Sequence, residues 1–186
     1  MAQQAFEFRT WGGKRKGAGR PPKGKRAGVP HVERAVLAPR FPVHATWRMT
    51  KRVWNLRTQR CFTALSRAMY GGASRFGLRL VHYSVMGNHV HLIVEAPDRR
   101  ALSRAMKGLG VRIARALNRV MKRSGAVISD RYHAHILKTP SEVKRARNYQ
   151  LTNARHHYGH TTRDRYTSRK PLIAPRTWLL IHALKL

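Results

Sequence analysis

Alternating apolar and polar positions mark the strands of this chain, and a wider spacing marks the helices between them. His44 to Lys51 alternates, with Ala45, Trp47 and Met49 on one side. Residues 56–69 carry Phe62, Leu65 and Met69 at helical spacing and stop at Gly71 and Gly72. Leu78 to Met86 alternates again, with Leu80, His82, Ser84 and Met86 on one face and Val81, Tyr83 and Val85 on the other. Gly87-Asn88 is a tight-hairpin signal, and His89 to Ala96 returns as the next strand. Residues 100–122 set Leu102, Met106, Leu109, Ile113, Leu117 and Val120 in one stripe, weakened locally by Gly108 and Gly110. Tyr132 to Lys138 reads as a short strand. Thr139-Pro140-Ser141-Glu142 is a capping box with proline at the first helical position. It predicts a helix from Pro140 to about Tyr158, stopped by Gly159. Thr177 to Leu186 is a candidate short packing helix.

The order β-α-β-β-α-β-α predicts an α+β chain with a ferredoxin-like split βαβ sheet. Two helices cover one face of a largely antiparallel sheet, and a third, tyrosine-bearing helix is added after it. The folded domain is expected over residues 43–159, between a basic arm at 1–42 and a C-terminal extension at 160–186.

Charge changes the picture. Lys and Arg number 39 against 7 Asp and Glu, a formal net charge of +32. A compact body so charged repels itself and calls for a polyanion partner. Nucleic acid fits, because neutralising its phosphates releases condensed counterions. No run is long enough to span a bilayer, and no apolar secretion signal opens the sequence, so no membrane association is expected.

Residues 12–28, GGKRKGAGRPPKGKRAG, place Lys14, Arg15, Lys16, Arg20, Lys23, Lys25 and Arg26 among glycines and prolines. Such a segment cannot bury apolar surface, so it reads as a disordered phosphate-binding arm. Its Gly19-Arg20-Pro21 also has the form of a minor-groove hook core. On the long helix, Arg104, Lys107, Arg112, Arg115 and Arg119 line the side opposite the apolar stripe and are expected to face phosphate.

The same composition excludes chemistries. A single cysteine, Cys61, rules out an internal disulfide and a cysteine-rich zinc site, and its apolar neighbours suit a small core residue. The acids Glu7, Glu33, Glu95, Asp98, Asp130, Glu142 and Asp164 are too few for an all-carboxylate two-metal nuclease. Nuclease chemistry here must rest on His, Tyr, Asn or Gln.

His89-Val90-His91 opens a strand, where residues two apart share a face, so both imidazoles project together. Convergent imidazoles suit a divalent cation that polarises a phosphodiester. His133-Ala134-His135 has the same spacing and is a rival pair. The first pair follows a tight turn and is backed by the apolar Leu92, Ile93 and Val94. On the capped helix, Tyr149 and Asn153 are four residues apart and share a face, a hydroxyl nucleophile beside an oxygen ligand. A free tyrosine titrates near ~10 and needs activation. His156, His157 and Gln150 stay open as alternative third ligands. Tyr70, Tyr83, Tyr132, Tyr158 and Tyr166 are weaker candidate nucleophiles.

VHYSVMGNHVHLIVEAP resembles the HUH motif of single-tyrosine transposases. RYHAHILKTPSEVKRARNYQLTNARHHYG is similar to the tyrosine-helix region of their REP-associated branch, in which a tyrosine is followed four residues later by asparagine. Tyr149 and Asn153 match those positions, and the resemblance spans about residues 43–158. The basic leader GGKRKGAGRPPK also resembles leaders of such bacterial proteins.

The resemblance implies a ferredoxin-like fold and Mg²⁺ or Mn²⁺ held by His89 and His91 with help from the tyrosine helix. It implies attack by Tyr149 on single-stranded, hairpin-flanked DNA through a 5′-phosphotyrosyl link. It further implies a cytoplasmic, nucleoid-associated location, and is compatible with a homodimer in which Tyr149 acts in trans. The sequence departs from the family where Ala154 replaces the usual proline after the asparagine. The competing class is a non-catalytic DNA- or RNA-binding module that uses the sheet as a stacking platform, with Trp47 as a candidate base contact.

Overall fold

The computed structural model describes residues 33–159 and 164–183. Lys14, Arg15, Lys16, Arg20, Lys23, Lys25 and Arg26, with the expected disorder of the arm, lie outside the described residues.

The strands are β1 (Val43–Arg48), β2 (Arg79–Val85), β3 (His89–Glu95) and β4 (His133–Ile136). The helices are α1 (Gln59–Tyr70), α2 (Arg99–Val120), α3 (Pro140–Tyr158) and α4 (Trp178–Ala183). The strands form one sheet in the order β2-β3-β1-β4, with every neighbouring pair antiparallel. β3 sits between β1 and β2, and β1 sits between β3 and β4. This is the split βαβ arrangement that the element order predicted.

Side-chain caps set the helix starts. Thr58 accepts from the Cys61 amide at the head of α1, and Asp98 accepts from the Ala101 amide at the head of α2. α1 starts later than its apolar spacing implied. Leu56 precedes the cap, and its amide donates to the Gly87 carbonyl instead. α3 has the complete capping box: the Glu142 amide donates to Thr139 Oγ1, and the Thr139 amide donates to Glu142 Oε2. Gly159 ends α3 in the left-handed conformation, φ 66°. α2 runs unbroken through Gly108 and Gly110. At Gly110 a β-carbon would stand 3.2 Å from Ile128 and 3.4 Å from Trp47, so close helix–sheet packing accounts for that glycine.

The sheet carries a core on each face. On one, Val43, Ala45, Trp47, Leu80, Tyr83, Val85, Val90, Leu92 and Val94 meet Leu65 and Met69 of α1 and Met106, Leu109, Ile113 and Leu117 of α2. On the other, Val81 and Ile93 meet Leu137 just after β4, Val143 and Ala146 in the first turns of α3, and Leu179, Leu180 and Ala183 of α4. Trp47 is buried in the first core, so it is no stacking platform. The strict alternation read for β2 fails at one point. A register shift between Leu80 and His82 turns Leu80 toward the first core and puts Val81 in the second.

Residues 164–172 run beside β2 and cover its free edge. The Val85 amide donates to Tyr166 O, Ser168 N to Tyr83 O, and Leu172 N to Val81 O. Buried Glu95 then accepts from the amides of Arg176 and Thr177 and from the Thr177 hydroxyl, which anchors the start of α4. Among the described residues no helix is long and apolar enough to cross a membrane.

Candidate active site

The pleat of β3 puts Val90 in the first core and His89 and His91 on the α3 face, with ring centroids 4.9 Å apart. His91 faces Thr46 on β1 and Ser84 on β2. Its Nδ1 lies 3.0 Å from Thr46 Oγ1, while His89 Nδ1 lies 2.8 Å from Asn88 Oδ1. With Nδ1 engaged on each ring, Nε2 is the nitrogen left for a ligand. His91 Nε2 is buried and has no hydrogen-bond partner.

Burial lowers the His91 pKa to about 3, helped by the neighbouring charge of His44, His89 and His157. Burial lowers that of His89 to about 4, helped by His157 and Arg48. Both rings are therefore neutral near pH 7, the form that ligates a metal.

The turn before β3 is tight, with the Met86 amide donating to His89 O across Gly87 and Asn88. Gly87 does not adopt a positive φ there. A β-carbon there would stand 3.0 Å from the hydroxyl of Tyr158, a close approach that the glycine leaves uncrowded.

Tyr149 packs edge-on to His91, centroids 5.1 Å apart, and is 43% exposed. Asn153, one turn on, is buried, and neither atom of its carboxamide has a partner. Gln150 is equally buried and equally unpartnered. Such groups are costly to bury and invite explanation. Among the described residues no three His, Cys, Asp or Glu side chains are grouped to hold a metal. The unpartnered carboxamides of Asn153 and Gln150 are buried polar groups of α3 that lack an explanation within the fold. Of the two, Asn153 shares a face with Tyr149. His157 is exposed with its ring 6.2 Å from that of His89, and His156 is exposed.

The rival pair His133 and His135 lies across β1, opposite Thr46 and His44, and both are exposed. His135 is 3.6 Å from Glu142. It lines a cleft of about 450 Å³ with His44, Glu142, Arg145 and Tyr149.

His44 is the residue the sequence reading missed. Its ring is 5.3 Å from His91 and 6.3 Å from Tyr149. The signal was the polar half of the β1 alternation, His44, Thr46 and Arg48, whose partners lie far away in sequence.

The basic stripe of α2 is not brought to this cluster. Arg104, Lys107, Arg115 and Arg119 are exposed and Arg112 is half-buried. With Arg67 of α1, Arg112, Arg115 and Arg119 line a cleft of about 540 Å³ on the opposite side of the sheet.

A solved REP-associated tyrosine transposase bound to a REP hairpin is similar to this chain in fold, with a TM-score of 0.62. The identity is 14%, over 76% of this chain and 83% of that one. The crystal structure of a candidate transposase from Deinococcus radiodurans R1 matches at 21% identity, over 69% of this chain and 95% of that one, with a TM-score of 0.46. None of the curated proteins matches the chain significantly. The family model described as "Transposase IS200 like" matches residues 39–149, from just before β1 to Tyr149 itself. That span is more than half of the sequence and takes in the whole sheet, so the chain belongs to the IS200-like transposase family.

Proposed function

We propose that this transposase is a metal-dependent transesterase that cleaves and rejoins single-stranded DNA flanked by a hairpin, through a 5′-phosphotyrosyl intermediate on Tyr149. The observation that carries the reading is the edge-on packing of Tyr149 against His91, 5.1 Å between centroids, with the unpartnered Asn153 carboxamide one turn on.

The donor set fits a divalent cation. Two neutral imidazoles and a buried carboxamide without partners are what His89, His91 and Asn153 offer. Mg²⁺ or Mn²⁺ is the class, and imidazole nitrogen favours Mn²⁺. When bound, the cation supplies positive charge for the phosphoryl oxygens.

The chain's own residues do the rest. Thr46 and Asn88 fix the rotation of the two imidazoles. The capped helix α3 presents the half-exposed Tyr149 hydroxyl to a strand lying across the sheet face. Tyr149 Oη attacks phosphorus and loses its proton. The P–O3′ bond breaks, and the leaving 3′ oxygen takes up a proton. The reverse attack by a 3′-hydroxyl restores the phosphodiester and frees Tyr149, so no external energy source is consumed. A hairpin substrate is consistent with the fold neighbour, which was solved with a REP hairpin.

The test incubates labelled hairpin DNA carrying a single-stranded flank with the protein and Mn²⁺. The expected result is a protein–DNA adduct that survives denaturing electrophoresis, absent in Tyr149→Phe although that variant binds with equal affinity. An adduct that persists in Tyr149→Phe would overturn the assignment. Tight, salt-sensitive binding without any adduct over a broad hairpin panel would make the chain a binding module.

A further inference from the structure

A cleft of about 750 Å³ opens on the flank of α3 that does not carry Tyr149. Lys144, Arg147, Asn148 and Leu151 face it, at the three- and four-residue spacing of one helix side. The segment from Asp164 to Pro175, with Leu180 and Ile181 of α4, supplies the other wall. Buried His82 of β2 lies at the inner end. The register shift in β2 brings it there, by setting two successive residues, Val81 and His82, on the α3 side of the sheet.

Arg147 is only 6% exposed, and none of the ion pairs among the described residues includes it. Its Nη2 donates to the carbonyls of Ser168 and Arg169 at 2.7 and 2.9 Å, while its buried Nη1 has no partner. Asp164 lines the same cleft but is already engaged. Both of its oxygens bind Arg57, and it accepts from the Thr167 hydroxyl. The exposed Lys144 and Arg169 add two more cations at the mouth. Burial, and then the charge of Arg169, lower the Arg147 pKa to about 10, which leaves it cationic at pH 7. A buried cation set among other cations is costly unless an anion joins it. The remaining wall is apolar. Leu151 and Ile181 stay 37% and 38% exposed there, beside buried Leu180. Cations at one end and open apolar surface at the other suit a ligand with a negative group on a flat apolar body.

We propose that this cleft is a nucleotide site, separate from the site at Tyr149, in which Arg147, Lys144 and Arg169 take the phosphate and Leu151 and Ile181 take the face of the base. The two N–H bonds of Arg147 Nη1 are the donors left over for phosphate oxygens, and a guanidinium is the side chain best matched to them. A free mononucleotide and one nucleotide of a DNA strand offer the same chemistry. The proposal does not depend on the reaction at Tyr149.

The test titrates the full chain calorimetrically with thymidine 5′-monophosphate, with thymidine and with inorganic phosphate. The monophosphate should bind at least about tenfold tighter than either part. Arg147→Met should weaken it about 10- to 100-fold, the effect of losing charge-assisted hydrogen bonds. Arg100→Gln, an exposed position at the start of α2 with the same loss of charge, should leave it within about twofold. Equal weakening in the two variants would mean general attraction to a chain of net charge +32 and would overturn the site. Thymidine or inorganic phosphate bound as tightly as the monophosphate would also overturn it as a nucleotide site. Should Arg147→Met fail to fold, Arg169→Glu at the mouth should weaken the monophosphate at least about tenfold, against Arg100→Glu as the matched control. Equal losses in that pair would again sink the proposal. A short single-stranded oligonucleotide then separates the two sources. Displacement of the monophosphate, with an oligonucleotide affinity that falls in Arg147→Met, assigns the cleft to a nucleotide of a strand. Monophosphate that stays bound beside the oligonucleotide assigns it to a free nucleotide.

Discussion

The two faces of the sheet are built by different rules. Toward α1 and α2, apolar side chains from three strands and two helices close over each other, with Leu65, Ile113 and Leu117 fully buried. Toward α3, the buried set includes His82, His91, Glu95, Arg147, Gln150 and Asn153. Glu95 is well supplied with partners by the start of α4, whereas Arg147 donates from Nη2 to the carbonyls of Ser168 and Arg169 and leaves its buried Nη1 without a partner. His91 Nε2 and both carboxamides also lack partners. Burying polar groups without partners costs stability, and a fold tolerates it where a ligand is to be received. The α1/α2 face is therefore the more apolar of the two, although Ser66 and Asn118 also carry unpartnered atoms there, and the α3 face holds the buried imidazole and carboxamides on which the proposed chemistry rests.

The contrast breaks most sharply under two substitutions. Tyr149→Phe should lower the adduct rate by about 1000-fold or more while leaving urea stability within about 0.5 kcal/mol. Ile113→Ala on the other face should cost about 2–5 kcal/mol in the same titration and spare the chemistry of the folded fraction.

Asn153→Leu should weaken Mn²⁺ binding about 10- to 100-fold, read by the free-ion Mn²⁺ resonance, yet hold or raise stability because an unpartnered amide is removed. Gln150→Leu should leave the Mn²⁺ titration alone. If it is Gln150→Leu that releases the ion, the third donor is Gln150.

Acid should act on the α3 face. His44, His82, His89 and His91 have pKa values lowered to about 4, 3, 4 and 3, chiefly by burial. The unfolded chain binds those protons near the ordinary value of about 6.5, so it holds more protons than the native state below that pH. Stability is thus expected to be flat above pH 7 and to fall as pH drops from about 6.5 toward 4. Denaturant midpoints across that range check it, and His82→Gln should flatten part of the slope.

The smallest effect is expected on the far side of the sheet. Arg115→Gln with Arg119→Gln should weaken hairpin binding alike for all sequences and reduce the log–log salt slope by about 2, with the adduct rate at saturation unchanged.

Local signals carried far into this structure. The capping box, Pro140 and Gly159 set α3 over the range the sequence predicted, because a cap acts within four residues of itself. Alternation placed His89 and His91 on one face, because the pleat repeats every two residues. The register shift at Val81 was not legible, since a bulge leaves composition unchanged. His44 was hidden for another reason: its neighbours His91 and Tyr149 lie 47 and 105 positions away.

By itself the sequence determined the element order, the polyanion partner that its charge demands, and the pairing of residues within one strand or one helix turn. Those properties depend on short-range geometry and on summed charge. Only the tertiary structure decided that His44 joins the site, that the α2 stripe lies across the sheet from it, and that Arg57 meets Asp164 at the end of α3. Contacts across strands and between distant segments follow from register and packing, and no periodicity along the chain encodes them.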